Sequence, residues 1–299
     1  MRVLVIGATG VLGRPAVRRL LVAGHEVTGL ARNEERAAVI AAQGVTPVVG
    51  DLFDAESLAK AMVGQEAVLN LATRIPSLGK AMFGGGWAEN DHVRRDGSAA
   101  LVTAALAGDE VRVVVQEGIS FYYADGGDAE LAEDAPLDVP AALSSTITAH
   151  QHVARFAEAD GRIGVRLRIG TLLGDDPMTT AMLRAARFGM PLTFGDPAGW
   201  TVAVHPSDAA AGAVAALAAP SGIYNVGAPP LRKRDLGAAL AAVAGVRKAR
   251  SVPPFVLKIA GPASTFARSQ RVVSTKLTDA TGWRPALPVP GPSWFTRLG

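Results

Sequence analysis

No cysteine occurs anywhere in the 299 residues. That absence excludes disulfides, thiolate zinc sites and cysteine nucleophiles, and it fits a reducing compartment, so the expected location is cytoplasmic. Long apolar runs are missing as well. The first, Val3 to Ile6, ends at a glycine, which predicts no secretory signal, and nothing later is long enough for a membrane span. Charge of one sign is not concentrated: 30 basic residues face 27 acidic ones, mixed along the chain, for a net charge of +3. Nucleic acid is therefore not an expected partner, because binding it needs a clustered basic patch. Aromatic residues are only 5% of the chain, and just three are tyrosine. With 49% hydrophobic and 19% charged residues, the composition is that of a globular protein large enough for one α/β domain or two lobes.

What is present begins at the N-terminus, where Val3 to Ile6 runs straight into Gly7, Gly10 and Gly13 of GATGVLG. A short apolar run entering three glycines at that spacing predicts a buried strand that turns into a helix. Gly7 allows the sharp turn, Gly10 lets the backbone approach a pyrophosphate, and Gly13 lets the helix pack close to the strand. Thr9, Val11 and Leu12 complete the turn, whose free amides and positive helix end suit the phosphates. Beyond it Leu12, Ala16, Val17, Leu20 and Leu21 share one helix face, Pro15 falls in the first turn and Gly24 supplies the stop. The pattern predicts a bound dinucleotide.

Strand-like runs then alternate with helical patterns: Glu26 to Leu30, Thr46 to Val49, Ala67 to Leu71, Arg112 to Gln116 and Gly164 to Arg168. Such alternation predicts an α/β fold of the Rossmann kind, a doubly wound parallel sheet with helices on both faces. An NAD site usually ends the second strand with an acid for the ribose hydroxyl, but Ala31 and Arg32 stand there. An arginine can fork onto a 2'-phosphate, so the expected cofactor is NADPH. Asp51 is expected to end the third strand and, with Leu52, to contact adenine, while Asp54 caps a helix from Ala55. Leu71, Ala72, Thr73 and Arg74 are expected beneath the middle of the cofactor. The loop from Arg74 to Trp87, with Gly84, Gly85 and Gly86, is read as a cover over the site or as disorder.

The order of GATGVLG, GDLFD, NLA, LRIGTLLG, YNVG and GWRP, from Val3 to about Pro285, resembles the extended short-chain dehydrogenase/reductase family, related to NAD-dependent epimerases and dehydratases. The resemblance implies a Rossmann domain over residues 1–173, its sheet completed by about 202–227, and a substrate lobe from 174–201 and 228–299. It also implies a serine and a Tyr-x-x-x-Lys pair for proton transfer. Ala142 and Thr146 occupy the pair's positions, none of the three tyrosines has a lysine four residues on, and Ser120 lies one residue from the serine register. The departure is similar to atypical members, including NADP-binding regulators of the NmrA kind and reductases of antibiotic pathways.

Other residues carry competing readings. His205 is a candidate proton donor or a structural histidine, with Asp208 expected to cap the helix Ala209 to Ala219. His150 and His152 diverge on a helix and make no metal pair; Glu117 is read as a salt-bridged acid. Arg232, Lys233 and Arg234 read as a solvated face, the Met and Phe residues from Met178 to Phe194 as an apolar pocket or helix core, and the tail at Trp294 as a loop or docking segment. The resemblance to reductases of antibiotic pathways, which extends to the run VQEGISFYYADGGD, implies an NADPH-dependent ketoreductase for a hydrophobic, angucyclinone-like aromatic ketone; Ser120 and His205 are the only placeable catalytic donors, and no metal is expected. The alternatives are a non-catalytic NADP-sensing regulator and a nucleotide-sugar epimerase or dehydratase.

Overall fold

In the computed structural model, residues 1–77, 80, 86–257 and 261–295 are described. Seven parallel strands form the central sheet: β1 (Arg2–Ile6), β2 (Glu26–Ala31), β3 (Thr46–Val49), β4 (Ala67–Asn70), β5 (Val113–Gln116), β6 (Ile163–Ile169) and β7 (Gly222–Val226). Their spatial order is β7-β6-β5-β4-β1-β2-β3, so the winding reverses between β1 and β4. A crevice opens outside the strand ends at such a reversal. Pairing of Ile6 with Asn70 and of Asn70 with Gln116 brings the segments after β1, β4 and β5 to the same sheet edge.

Alternating side chains of β1 split between two cores. Val3 and Val5 pack with Ala16, Val17 and Leu20 of α1 (Gly13–Val22) and with Ala209, Ala210 and Ala213. Leu4 and Ile6 face the other side, with Leu58, Leu101, Val153 and Phe156. These come from α3 (Ala55–Met62), α5 (Ser98–Ala107) and α6 (Ser144–Phe156); α2 (Glu34–Ala41) precedes them, and α4 (Trp87–His92) precedes α5. A further apolar cluster draws on α7 (Pro177–Ala186) and α9 (Lys233–Ala244), with α8 (Pro206–Ala215) lying between them in sequence. Trp294 and Phe295 of the proline-rich tail lie in that cluster, where Trp294 is fully buried.

Several local expectations need correction. Asp51 lies two residues beyond β3, its carboxylate accepting from Phe53 N at 2.9 Å. The helix after 205 starts at Pro206 and is capped by the His205 ring, which accepts from Ser207 N at 3.2 Å; Asp208 instead accepts from Leu287 N at 2.8 Å. Lys233 is not solvated but only 5% exposed, because its ammonium reaches the carbonyls of Phe266 and Ala267. Trp87 opens α4 rather than closing a loop. Much of that loop, Gly84 and Gly85 included, lies outside the described residues, so the cover reading is neither met nor refuted.

Candidate cofactor and substrate site

At the turn after β1, Gly7 has φ +86°, a conformation that favours glycine, and a Cβ there would stand 2.9 Å from Ala72 N. A Cβ on Gly13 would lie 1.9 Å from Gly7 O, so only glycine brings α1 this close to β1. Gly10 donates to Gly7 O at 2.9 Å, while a Cβ on Gly10 would meet nothing else within 4 Å. Its outer face is bare, and the first turn of α1 closes beneath it through Arg14 N, which donates to Gly10 O at 3.1 Å. A pyrophosphate fits this cradle. Arg14 braces it by donating from Nε to Thr9 O at 3.0 Å.

The adenosine half of a dinucleotide here would cross β1, β2 and β3, and the nicotinamide half β4 and β5. Ala31 is buried and Arg32 exposed just past β2, where Asn33 caps α2 through Arg36 N at 3.0 Å. After β3, Leu52 packs so tightly on Gly97 that a Cβ there would come within 2.9 Å of its Cγ. After β4, Asn70 Oδ1 accepts from Ala72 N at 3.2 Å, and Asn90 Oδ1 from Arg74 N at 2.9 Å. Leu71 is buried, while Thr73 and Arg74 are exposed. Every residue named from the sequence for the cofactor therefore stands at this one edge of the sheet.

The end of β5 holds the salt bridge expected of Glu117, with a partner, Arg94, that the sequence does not announce. Arg94 Nε and Nη2 each donate to Glu117 at 2.9 Å, and Nη1 donates to Thr146 Oγ1 at 2.9 Å. Both charged side chains are 4% exposed. Burial works against the Arg94 charge, yet Glu117 beside it holds the pKa above its ordinary value. A π-helical turn, Val93–Gly97, carries Arg94 inward, whereas the adjacent Arg95 is exposed. Thr146, at the position expected for the family's lysine, is thus the acceptor of a guanidinium. Ala142 lies in the turn Ala141–Leu143 that precedes α6, outside the α-helix itself.

Of the two proposed donors, Ser120 is enclosed and His205 only partly buried. Ser120 is 1% exposed, its Oγ without a hydrogen-bond partner among the described residues, and Tyr122 is 0% exposed. Burial pushes the Tyr122 and Tyr123 hydroxyls up, and Tyr123 lies between Arg168 and Asn225, each 2.7 Å away. His205 meets Trp294 edge-on at 5.9 Å, and burial lowers its pKa. His150 is pushed down to about 3, by burial first and then by Arg168, Arg166 and Arg94. A Cβ on Gly118 would come 2.4 Å from its Nε2. Among the described residues no group of histidines and acids could hold a metal, and no helix is long and apolar enough to cross a membrane.

A doubly wound sheet with a glycine cradle at its reversal defines a dinucleotide-binding protein. The chain belongs to the NAD(P)H-binding family, whose model matches residues 7–193. Over its full length it is 32% identical to a 3-diazoavenalumate denitrifying reductase of a Streptomyces species, covering 100% of this chain and 99% of that protein. Human epimerase family protein SDR39U1, solved with NADPH, superposes with TM-score 0.73 at 23% identity and 97% coverage of both chains. A double mutant of the Streptomyces venezuelae dTDP-glucose 4,6-dehydratase DesIV, solved with NAD, gives 0.76 at 21% identity and 100% coverage of both. Those two likenesses bear on the fold alone.

Proposed function

We propose that the chain is an NADPH-dependent reductase that delivers hydride to an aromatic acceptor without a general acid from the protein. The enclosure of the hydroxyls beyond β5 carries this reading, with Ser120 and Tyr122 at 1% and 0% exposure. NADPH bound at the glycine cradle supplies the hydride. A ketone then still needs a proton, and a placed acid is worth about a hundredfold to ten-thousandfold in rate. An aryl diazonium does not: gaining hydride and losing dinitrogen leaves a neutral arene. The relative named for denitrifying reduction favours that acceptor.

A second reading keeps a ketone, of the angucyclinone kind, whose neighbouring phenol donates to its carbonyl oxygen. The run VQEGISFYYADGGD favours it, through its resemblance to the angucyclinone ketoreductase of simocyclinone biosynthesis. Either way the protein contributes orientation and the exclusion of water.

The test uses NADPH deuterated at the transferred position. With 3-diazoavenalumate we expect dinitrogen release and deuterium on the arene carbon, and Ser120→Ala and His205→Ala should each keep turnover within about tenfold. Phenolic ketones run in parallel, with the neighbouring hydroxyl free or methylated. Reduction of only the free phenol selects the second reading. Cofactor binding without turnover of any acceptor sinks both and leaves the NADP-sensing regulator, whereas an epimerase or dehydratase would need the tyrosine base.

A further inference from the structure

Three phenylalanines from distant segments meet beside the expected nicotinamide end. Phe121 directly follows Ser120 beyond β5, Phe194 closes the short strand Thr193–Phe194, and Phe266 lies in the 3-10 turn Gly261–Ala267. The Phe266 ring centroid is 5.1 Å from that of Phe121, tilted 47°, and 5.7 Å from that of Phe194, tilted 37°. None of the three rings is fully buried, and both pairs are tilted rather than stacked.

The cluster is held from several sides. Gly195 has φ +81°, and a Cβ there would come 2.7 Å from Ala267 O, so glycine lets the Phe194 strand close on the Phe266 turn. Lys233, at the start of α9, donates to the carbonyls of Phe266 and Ala267 at 2.7 and 3.1 Å. Gln270 Nε2 donates to Phe121 O at 3.1 Å, and Arg268 Nη1 to Tyr123 O at 3.1 Å, tying the same stretch to the segment after β5. Burying an ammonium is costly, and here it fixes the backbone that carries one ring.

We propose that these rings form the acceptor-binding slot and take a planar fused aromatic ring by its faces, in preference to a saturated ring of similar outline. Aromatic pairs in offset or edge-on geometry gain beyond the area they bury, and a saturated ring lacks that gain. The proposal deepens the reductase reading and rests on it for the identity of the occupant as substrate.

Calorimetry on NADP-saturated protein compares 2-naphthol with its decahydro analogue, which is the more apolar of the two. We expect 2-naphthol to bind about tenfold more tightly. Phe121→Leu and Phe266→Leu keep apolar bulk but lose the ring; each should weaken 2-naphthol about twofold to tenfold while leaving the decahydro analogue and NADP within about twofold. Equal affinity for the two probes, no binding, or equal losses for both in the variants would overturn the slot. The wild-type comparison decides alone if a variant fails to fold. If naphthol is preferred but no deuterium is transferred to any acceptor, the slot stands and the reductase reading falls.

Discussion

Arg32 stands exposed one residue beyond β2, at the place where an acid would meet the ribose of NAD. A charge-assisted hydrogen bond to a phosphate is worth about 1.5 to 3 kcal/mol, so Arg32→Ala should weaken NADPH about tenfold to a hundredfold and leave NADH unchanged. Titration of both cofactors against both proteins measures this, and equal losses would give Arg32 another role. The glycines and Asp54 were legible because each acts through its own backbone or over a few residues; Asp54 caps α3 through Glu56 N at 2.9 Å, as its position before Ala55 predicted. Lys233 was not legible. Its burial depends on carbonyls more than thirty residues away in sequence.

At the scale of elements, the π-helical turn between α4 and α5 decides which of two neighbouring arginines is buried. Arg94→Met would leave Glu117 as an unpaired charge at 4% exposure, a loss on the order of 3 to 5 kcal/mol of stability. Adding Glu117→Leu should recover most of that loss, since buried pairs replaced by apolar groups are often neutral. Urea unfolding of the two variants provides the comparison. No recovery would mean that the pair itself, rather than the orphaned carboxylate, supplies the stability. The same geometry bears on Thr146: a lysine there would point at the Arg94 guanidinium, so restoring the family's pair alone would meet like-charge repulsion. Sequence alone suggested the salt bridge of Glu117, but its partner needed the turn.

For the whole molecule, His150 links folding to acid. Its folded pKa, about 3, lies below the ordinary 6.5. Between those values the unfolded chain binds a proton that the folded one refuses, so this stability is present above the unfolded pKa and falls with pH. From about pH 7.5 to pH 5 the group should cost roughly 2 kcal/mol, and His150→Gln should remove that part of the slope. Chemical denaturation at both pH values reads the difference; identical slopes would assign the acid sensitivity elsewhere.

The alternation of strands and helices, the glycine cradle and the cofactor edge were determined by the sequence itself, because strand burial, turn chemistry and helix capping are local. Six of the seven sheet strands could be read within a residue or two of their ends. The tertiary structure alone decided that Thr146 meets Arg94, that Ser120 is closed off, and that Phe121, Phe194 and Phe266 converge. Those contacts join residues far apart in the chain, and no local pattern encodes which of them the packing of the later segments against the sheet will bring together.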